Sequence, residues 1–401
     1  MNLREDRSVA PAVRGFLDGL AGGELLYRLS WDDWMAIEAP YPSGAYDHGD
    51  VWKRYSRNGY DWDIQAKLYT PRREVDPSVA FIIYPGGSGN AHNVDLTPDG
   101  RPGLARVLAA QGFTVLSVSY TGLYPPGGVW SRPAATRLPH YLRDRDLPEA
   151  EIRDRNLKCT FNVILQGAGQ LIDETLAGRR ILAFGHSTGG PMAAHLHRFV
   201  AKATVAGLPG FGSGGPNGWL RDWRDLAGAD VARRMPLDGM SRLTDEAFKA
   251  SGYEDPPDLC PWGGLDAPVY RKWVERSKSK MKTALCFNQH VPALGMLEEH
   301  ARVAGLPRDE VFDHLGDPPH DWIKDKGVLL VVGENDKLHW TSYGERVEDK
   351  CEYYIATRYA ALGARAKVVL IPRYGHIAYI EIHNEKIAYL WLWAMREGFF
   401  R

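Results

Sequence analysis

Short aliphatic runs that do not alternate with polar residues recur along the chain, at Ala80–Tyr84, Thr114–Val118, Arg180–Phe184, Thr204–Leu208, Val328–Val332 and Lys367–Ile371. A strand that is apolar at nearly every position is covered on both faces, as in a parallel sheet between helical layers. Segments with helical spacing separate several of these runs: Gly103–Gln111, Arg153–Leu176, Met192–Ala203 and Tyr343–Leu362. This alternation predicts an α/β fold with a doubly wound, mostly parallel sheet. The pattern upstream is different. Trp62, Ile64, Ala66 and Leu68 alternate with polar residues, which predicts a half-buried strand. Asn58-Gly59 separates that strand from Val51–Tyr55 in the manner of a two-residue hairpin turn. A last amphipathic helix carries Ile387, Leu390, Trp391 and Ala394 on one face.

One interval breaks the rhythm. Between about Gly212 and Lys326 there is no convincing strand, but there are Gly/Pro-rich stretches and a helical pattern through Val269, Trp273, Met281 and Leu285. The expected organisation is an N-terminal extension over 1–50, a core in two parts over 51–211 and 327–401, and a mainly helical cap over 212–326. The pattern within 1–49 leaves open whether that segment wraps the core or joins the cap.

Composition narrows the function classes. With 44% hydrophobic residues in 401, the chain can bury a sizeable core. Its 49 basic and 50 acidic side chains give a net charge of −1, which argues against nucleic acid or an anionic membrane as a partner. The basic stretch Arg271–Lys282 reads as a solvated helix face. Cys159, Cys260, Cys286 and Cys351 form no Cys-x-x-Cys pair, so reduced thiols are expected. The charged segment Met1–Arg14 lacks the apolar centre of a signal peptide, and no run is long enough to cross a bilayer. A soluble, cytoplasmic protein is the reading.

The candidate chemistry centres on Gly185-His186-Ser187-Thr188-Gly189-Gly190, which follows the apolar run Ile181–Phe184 and precedes a helical segment. Gly-x-Ser-x-Gly between strand and helix is a nucleophile elbow: the sharp turn exposes the serine Oγ, and the flanking glycines allow strand and helix to approach without Cβ clashes. A serine hydroxyl is a weak nucleophile near neutral pH and needs a base, itself held by a third group. Asp336 follows the strand Val328–Val332, and His376 follows Lys367–Ile371. Both fall where parallel strands end, at the carboxyl edge beside the elbow. Glu334 and Asp222 are the other acids within consideration, with Asp336 preferred.

On these motifs and the order Ser187, Asp336, His376, the chain resembles the α/β-hydrolase superfamily over roughly Val51–Phe211 and Gly327–Arg401, with a lid inserted after the strand that follows the nucleophile helix. The resemblance implies an oxyanion hole formed by the backbone N–H of Thr188 and one from the loop Tyr84–Gly89, with Gly87 preferred over Ser88. It also implies acyl transfer to water with no metal or organic cofactor. The expected reaction is cleavage of a carboxylic ester or lactone in a small-molecule substrate. An amide or a carbon–carbon bond beside a ketone would use the same triad, and a non-catalytic ligand-binding protein on the same fold is a more distant reading. The oligomeric state is not legible.

Other residues read more simply. His186 is expected to be a packing or hydrogen-bonding neighbour of the serine, not a second base, and His195 and His197 diverge on a helix and do not suggest a metal site. Gly86-Gly87-Ser88-Gly89 lacks the Gly-Lys-Ser/Thr ending of a phosphate-binding loop. Most of Trp130, Trp219, Trp223, Trp262, Trp273 and Trp322 read as core or lid packing, and some suggest an apolar pocket for an aromatic or bulky hydrophobic substrate under the lid.

Overall fold

The predicted strands lie side by side in one sheet. A computed structural model of the chain describes residues 3–86, 91–97, 99–119, 154, 158–187, 189–211, 301–312, 317–335, 351–375 and 378–400. Among these, the sheet has nine strands: β1 (Leu26–Arg28), β2 (Tyr46–Arg57), β3 (Tyr60–Pro71), β4 (Val79–Tyr84), β5 (Thr114–Val118), β6 (Arg180–Gly185), β7 (Thr204–Phe211), β8 (Gly327–Gly333) and β9 (Arg365–Ile371). Their spatial order is β1-β9-β8-β7-β6-β4-β5-β3-β2. Neighbours from β1 to β5 in that order run parallel, and β3 and β2 close the far edge antiparallel.

Helices cover both faces, which is why the central strands can be apolar throughout. On one face pack α1 (Pro11–Ala21), α2 (Trp31–Ala36), α3 (Leu104–Ala110) and α9 (Glu385–Arg396), with Phe16, Trp34, Leu108 and Trp391 in one buried cluster. On the other lie α4 (Phe161–Thr175), α5 (Gly189–His195) and α8 (Cys351–Ala361), contributing Ile164, Met192 and Ile355 to a second cluster. Two short helices, α6 (Arg308–Phe312) and α7 (His320–Ile323), precede β8. None of the described helices is long and apolar enough to cross a membrane.

Three expectations are corrected. Strand β3 is buried on both faces: Asp63, Gln65 and Lys67 point away from Trp62 and Ile64 and are also covered. Partners make that tolerable, because Asp63 accepts from Arg54 and Lys67 donates to Asp95. The helix expected over Met192–Ala203 begins earlier and stops at His195, followed by one 3-10 turn over Leu196–Arg198. The Asp173 carboxylate accepts the N–H groups of Ala201 and Lys202, which diverts the chain out of helical bonding. The helix expected over Arg153–Leu176 has its cap at Thr160, whose hydroxyl accepts from the Val163 N–H. The hairpin is as expected. Asn58 and Gly59 have φ of 52° and 79°, the pair of left-handed residues a tight turn between twisted strands requires.

Residues 11–37 are integral to the sheet and one of its layers. Strand β1 pairs with β9, and the buried Lys367 ammonium donates to the carbonyls of Gly22 and Glu24, holding the approach to β1 against the sheet. Residues 120–150 and 212–300 lie outside the described residues, and with them the pattern at Val269–Leu285, the basic stretch Arg271–Lys282 and the first part of the expected cap.

Candidate active site

Strand β6 ends at Gly185 and α5 begins at Gly189, so His186-Ser187-Thr188 must turn the chain sharply. Ser187 takes φ = 50°, the left-handed region that costs a side-chain-bearing residue about 1–2 kcal/mol. The turn is closed by the Gly189 N–H donating to His186 O at 2.7 Å and the Gly190 N–H to Ser187 O at 2.9 Å. The two flanking glycines are sterically required. A Cβ on Gly185 would lie 2.0 Å from Gly189 O, and one on Gly189 would lie 2.6 Å from Tyr84 O and 2.8 Å from Pro85 O. The same crowding brings the loop after β4 onto the serine: a Cβ on Gly86 would stand 3.4 Å from Ser187 Cβ and 2.5 Å from His186 Nδ1. The chain segment that leads into Gly87 therefore starts against Ser187. Gly87 and Thr188 themselves lie outside the described residues, as do Asp336, His376 and Asp222.

The chain immediately before Asp336 is bonded to the chain immediately before His376. Beyond the β8–β9 ladder, the Glu334 N–H donates to Ile371 O at 2.9 Å and the Asn335 N–H to Tyr374 O at 2.8 Å. The Asn335 side chain adds a bond to Arg373 O at 3.0 Å. Gly333 permits this approach, since a Cβ there would lie 2.3 Å from Tyr374 O and 2.6 Å from Gly375 O. Glu334 is solvent-exposed, and its carboxylate accepts the Arg373 N–H at 3.0 Å, so it serves this junction.

Further residues hold the segment around His376 and were not singled out from the sequence. On its C-terminal side, the Tyr379 ring packs edge-on against His186 with centroids 4.8 Å apart. Arg101 donates to Ile380 O, Glu381 O and Asn384 Oδ1. On its N-terminal side, the hydroxyl of buried Tyr374 accepts from Trp34 Nε1 at 3.1 Å and donates to Ile382 O. Burial raises the pKa of both tyrosines above the ordinary phenol range, so both remain neutral. Local sequence carries no signal for Trp34 or Arg101, because each acts on residues hundreds of positions away.

His186 is buried beside Tyr379, the packing neighbour the sequence suggested. His195 is buried, whereas His197 stacks on Trp322 with ring centroids 4.0 Å apart and 13° between planes. Desolvation there brings the His197 pKa down to about 4. Trp322 thus packs against the 3-10 turn that follows α5, and the other tryptophans considered for a pocket lie outside the described residues. Cys159 is buried, and desolvation raises its pKa, which disfavours the reactive thiolate.

A parallel sheet with helices on both faces, carrying a strained serine in a glycine-flanked turn after a central strand, defines a class that comparison with known proteins makes explicit. The sequence profile of the alpha/beta hydrolase family matches residues 85–388. The chain belongs to that family and is a hydrolase. Solved structures similar to it include a probable hydrolytic enzyme from Pseudomonas aeruginosa, at 15% identity over 90% of this chain and 96% of that one, with a TM-score of 0.45. A thermostable carboxyl esterase from Bacillus coagulans matches at 14% identity over 89% and 99%, with a TM-score of 0.48. Carboxyl esterase 2 from the fungus Tuber melanosporum matches at 12% identity over 98% and 100%, with a TM-score of 0.40. A comparison with curated proteins returned no match.

Proposed function

We propose that this hydrolase cleaves a carboxylic ester or lactone through an acyl-enzyme on Ser187, with His376 as base, Asp336 as its orienting acid, and the N–H groups of Gly87 and Thr188 as the oxyanion hole. The observation that carries the reading is the Ser187 turn: a left-handed serine at the end of β6 with the backbone of Gly86 against it. A strained side-chain-bearing residue persists where the surroundings fix it, and such positions concentrate at active sites. The bonds joining Glu334-Asn335 to Ile371 and Tyr374 support the choice of acid and base, because they tie together the segments leading into Asp336 and His376.

In this reading His376 takes the hydroxyl proton as Ser187 Oγ bonds to the carbonyl carbon, and the carbonyl electron pair moves onto oxygen. Two N–H donors hold that oxyanion, each worth about 3–4 kcal/mol of barrier. The C–O bond to the leaving alcohol breaks as His376 returns the proton to it. Water then repeats the sequence on the acyl-enzyme, with His376 again as base, and releases the acid. The cap over 212–326 supplies the substrate pocket, and its tryptophans suit a bulky or aromatic hydrophobic acyl or alcohol group. Turnover of p-nitrophenyl esters and aryl lactones, set against matched anilides and β-diketones, tests the bond. Ester or lactone turnover that disappears in Ser187→Ala is expected. Turnover confined to anilides or diketones would replace the ester assignment.

A further inference from the structure

We propose that Tyr374 and Trp34 are positioning residues for the catalytic histidine; the inference rests on the assignment of His376 as base. Tyr374 stands two residues before His376 and is tied in three directions. Its carbonyl accepts the Asn335 N–H at 2.8 Å, which couples it to the segment leading into Asp336. Its hydroxyl donates to Ile382 O, closing the chain from 374 to 382 into a loop with position 376 inside it. The same hydroxyl accepts from Trp34 Nε1 at 3.1 Å, and the two rings pack edge-on with centroids 5.4 Å apart.

Trp34 is itself fixed. It is fully buried on α2, which the Ser30 hydroxyl caps by accepting the Asp33 N–H. At the other end of α2, the Lys386 ammonium on α9 donates to Met35 O at 2.8 Å and Ile37 O at 2.7 Å. Trp393 Nε1, also on α9, donates to Glu38 O at 2.8 Å. An indole held this firmly fixes the phenol oxygen, and that oxygen fixes the separation of the two ends of the histidine segment. A purely packing tyrosine would leave its hydroxyl to solvent or to one partner. This one spends donor and acceptor capacity on the loop and on a helix far away in sequence.

The test compares Tyr374→Phe and Trp34→Phe in the full chain, with Trp62→Phe as control. Trp62 is also buried and its Nε1 donates to Arg57 O, but it lies near the opposite edge of the sheet. Each variant is assayed with a p-nitrophenyl ester at a temperature where circular dichroism shows it folded. Positioning predicts kcat lowered about tenfold or more with KM within about twofold, since an error of about 1 Å at a reacting group costs on the order of a hundredfold. The double variant falls no further than the worse single one, because both remove the same restraint. Trp62→Phe lowers the melting temperature and leaves kcat unchanged. Wild-type kcat in Tyr374→Phe and Trp34→Phe, alongside an inactive His376→Ala, overturns the positioning role and spares the triad. Wild-type activity in His376→Ala overturns both.

Discussion

Gly333→Ala places the junction of acid and base segments under direct test. The added Cβ would stand 2.3 Å from Tyr374 O and 2.6 Å from Gly375 O, both backbone atoms with no rotamer to escape into. Restoring contact distance requires a shift of about 1 Å between the end of β8 and the chain entering His376. Overpacking of that size costs about 1–3 kcal/mol of stability, a melting temperature lower by a few degrees. Because the shift falls between the segments of Asp336 and His376, kcat for a p-nitrophenyl ester should drop about a hundredfold, or about 2.7 kcal/mol of barrier. KM should stay near wild type, since the nearest atoms the added Cβ meets are backbone atoms of Tyr374 and Gly375. Gly49→Ala is the control, as a Cβ there meets nothing within 4 Å. Full kcat in a folded Gly333→Ala protein would show that the two segments need no fixed separation for catalysis, and would refute the reasoning.

Ser187→Gly and Ser187→Ala should both be inactive, but the glycine variant should be the more stable by about 1 kcal/mol, because only it relieves the left-handed strain at φ = 50°; thermal unfolding decides. Asp95 is buried, which by itself raises its pKa, but hydrogen bonds from Arg106 at 2.6 Å and Lys67 at 2.5 Å outweigh burial and bring it down to about 2. Its stabilisation is present above the unfolded value of 3.8 and is lost as pH falls through about 2. Asp95→Asn should cost about 3 kcal/mol at pH 7 by stranding Lys67, and should flatten that acid limb in urea titrations. His197 carries a pKa depressed to about 4, so the folded state binds its proton less readily than the unfolded chain does. Wild-type stability should therefore fall between pH 6.5 and about 4, and His197→Phe, which keeps a ring on Trp322, should lose that part of the pH dependence.

The central sheet was legible because each parallel strand buries both faces and so announces itself as an aliphatic run; Thr114–Val118 coincides with β5 to the residue. The hairpin was legible for a different reason, since Asn-Gly is the pair that best tolerates two successive positive φ values. The elbow combined both signals. What escaped were features set by partners remote in sequence. Three residues of β1 form a strand only because β9 offers them an edge, and nothing local marks them. Lys67 and Asp63 read as the exposed face of β3 because charge usually means solvent; Asp95 and Arg54 reverse that. Trp34, Arg101 and Tyr379 were invisible as contributors to the site for the same reason, since their roles exist only in the folded arrangement.

The most direct test of Ser187 as an activated nucleophile is labelling with a fluorophosphonate probe followed by peptide mass spectrometry. The expected result is one adduct, on Ser187, formed in the wild type and absent from His376→Ala and Asp336→Ala proteins that remain folded. An adduct on another residue, or no adduct on folded wild-type protein with probes of graded size, would contradict it.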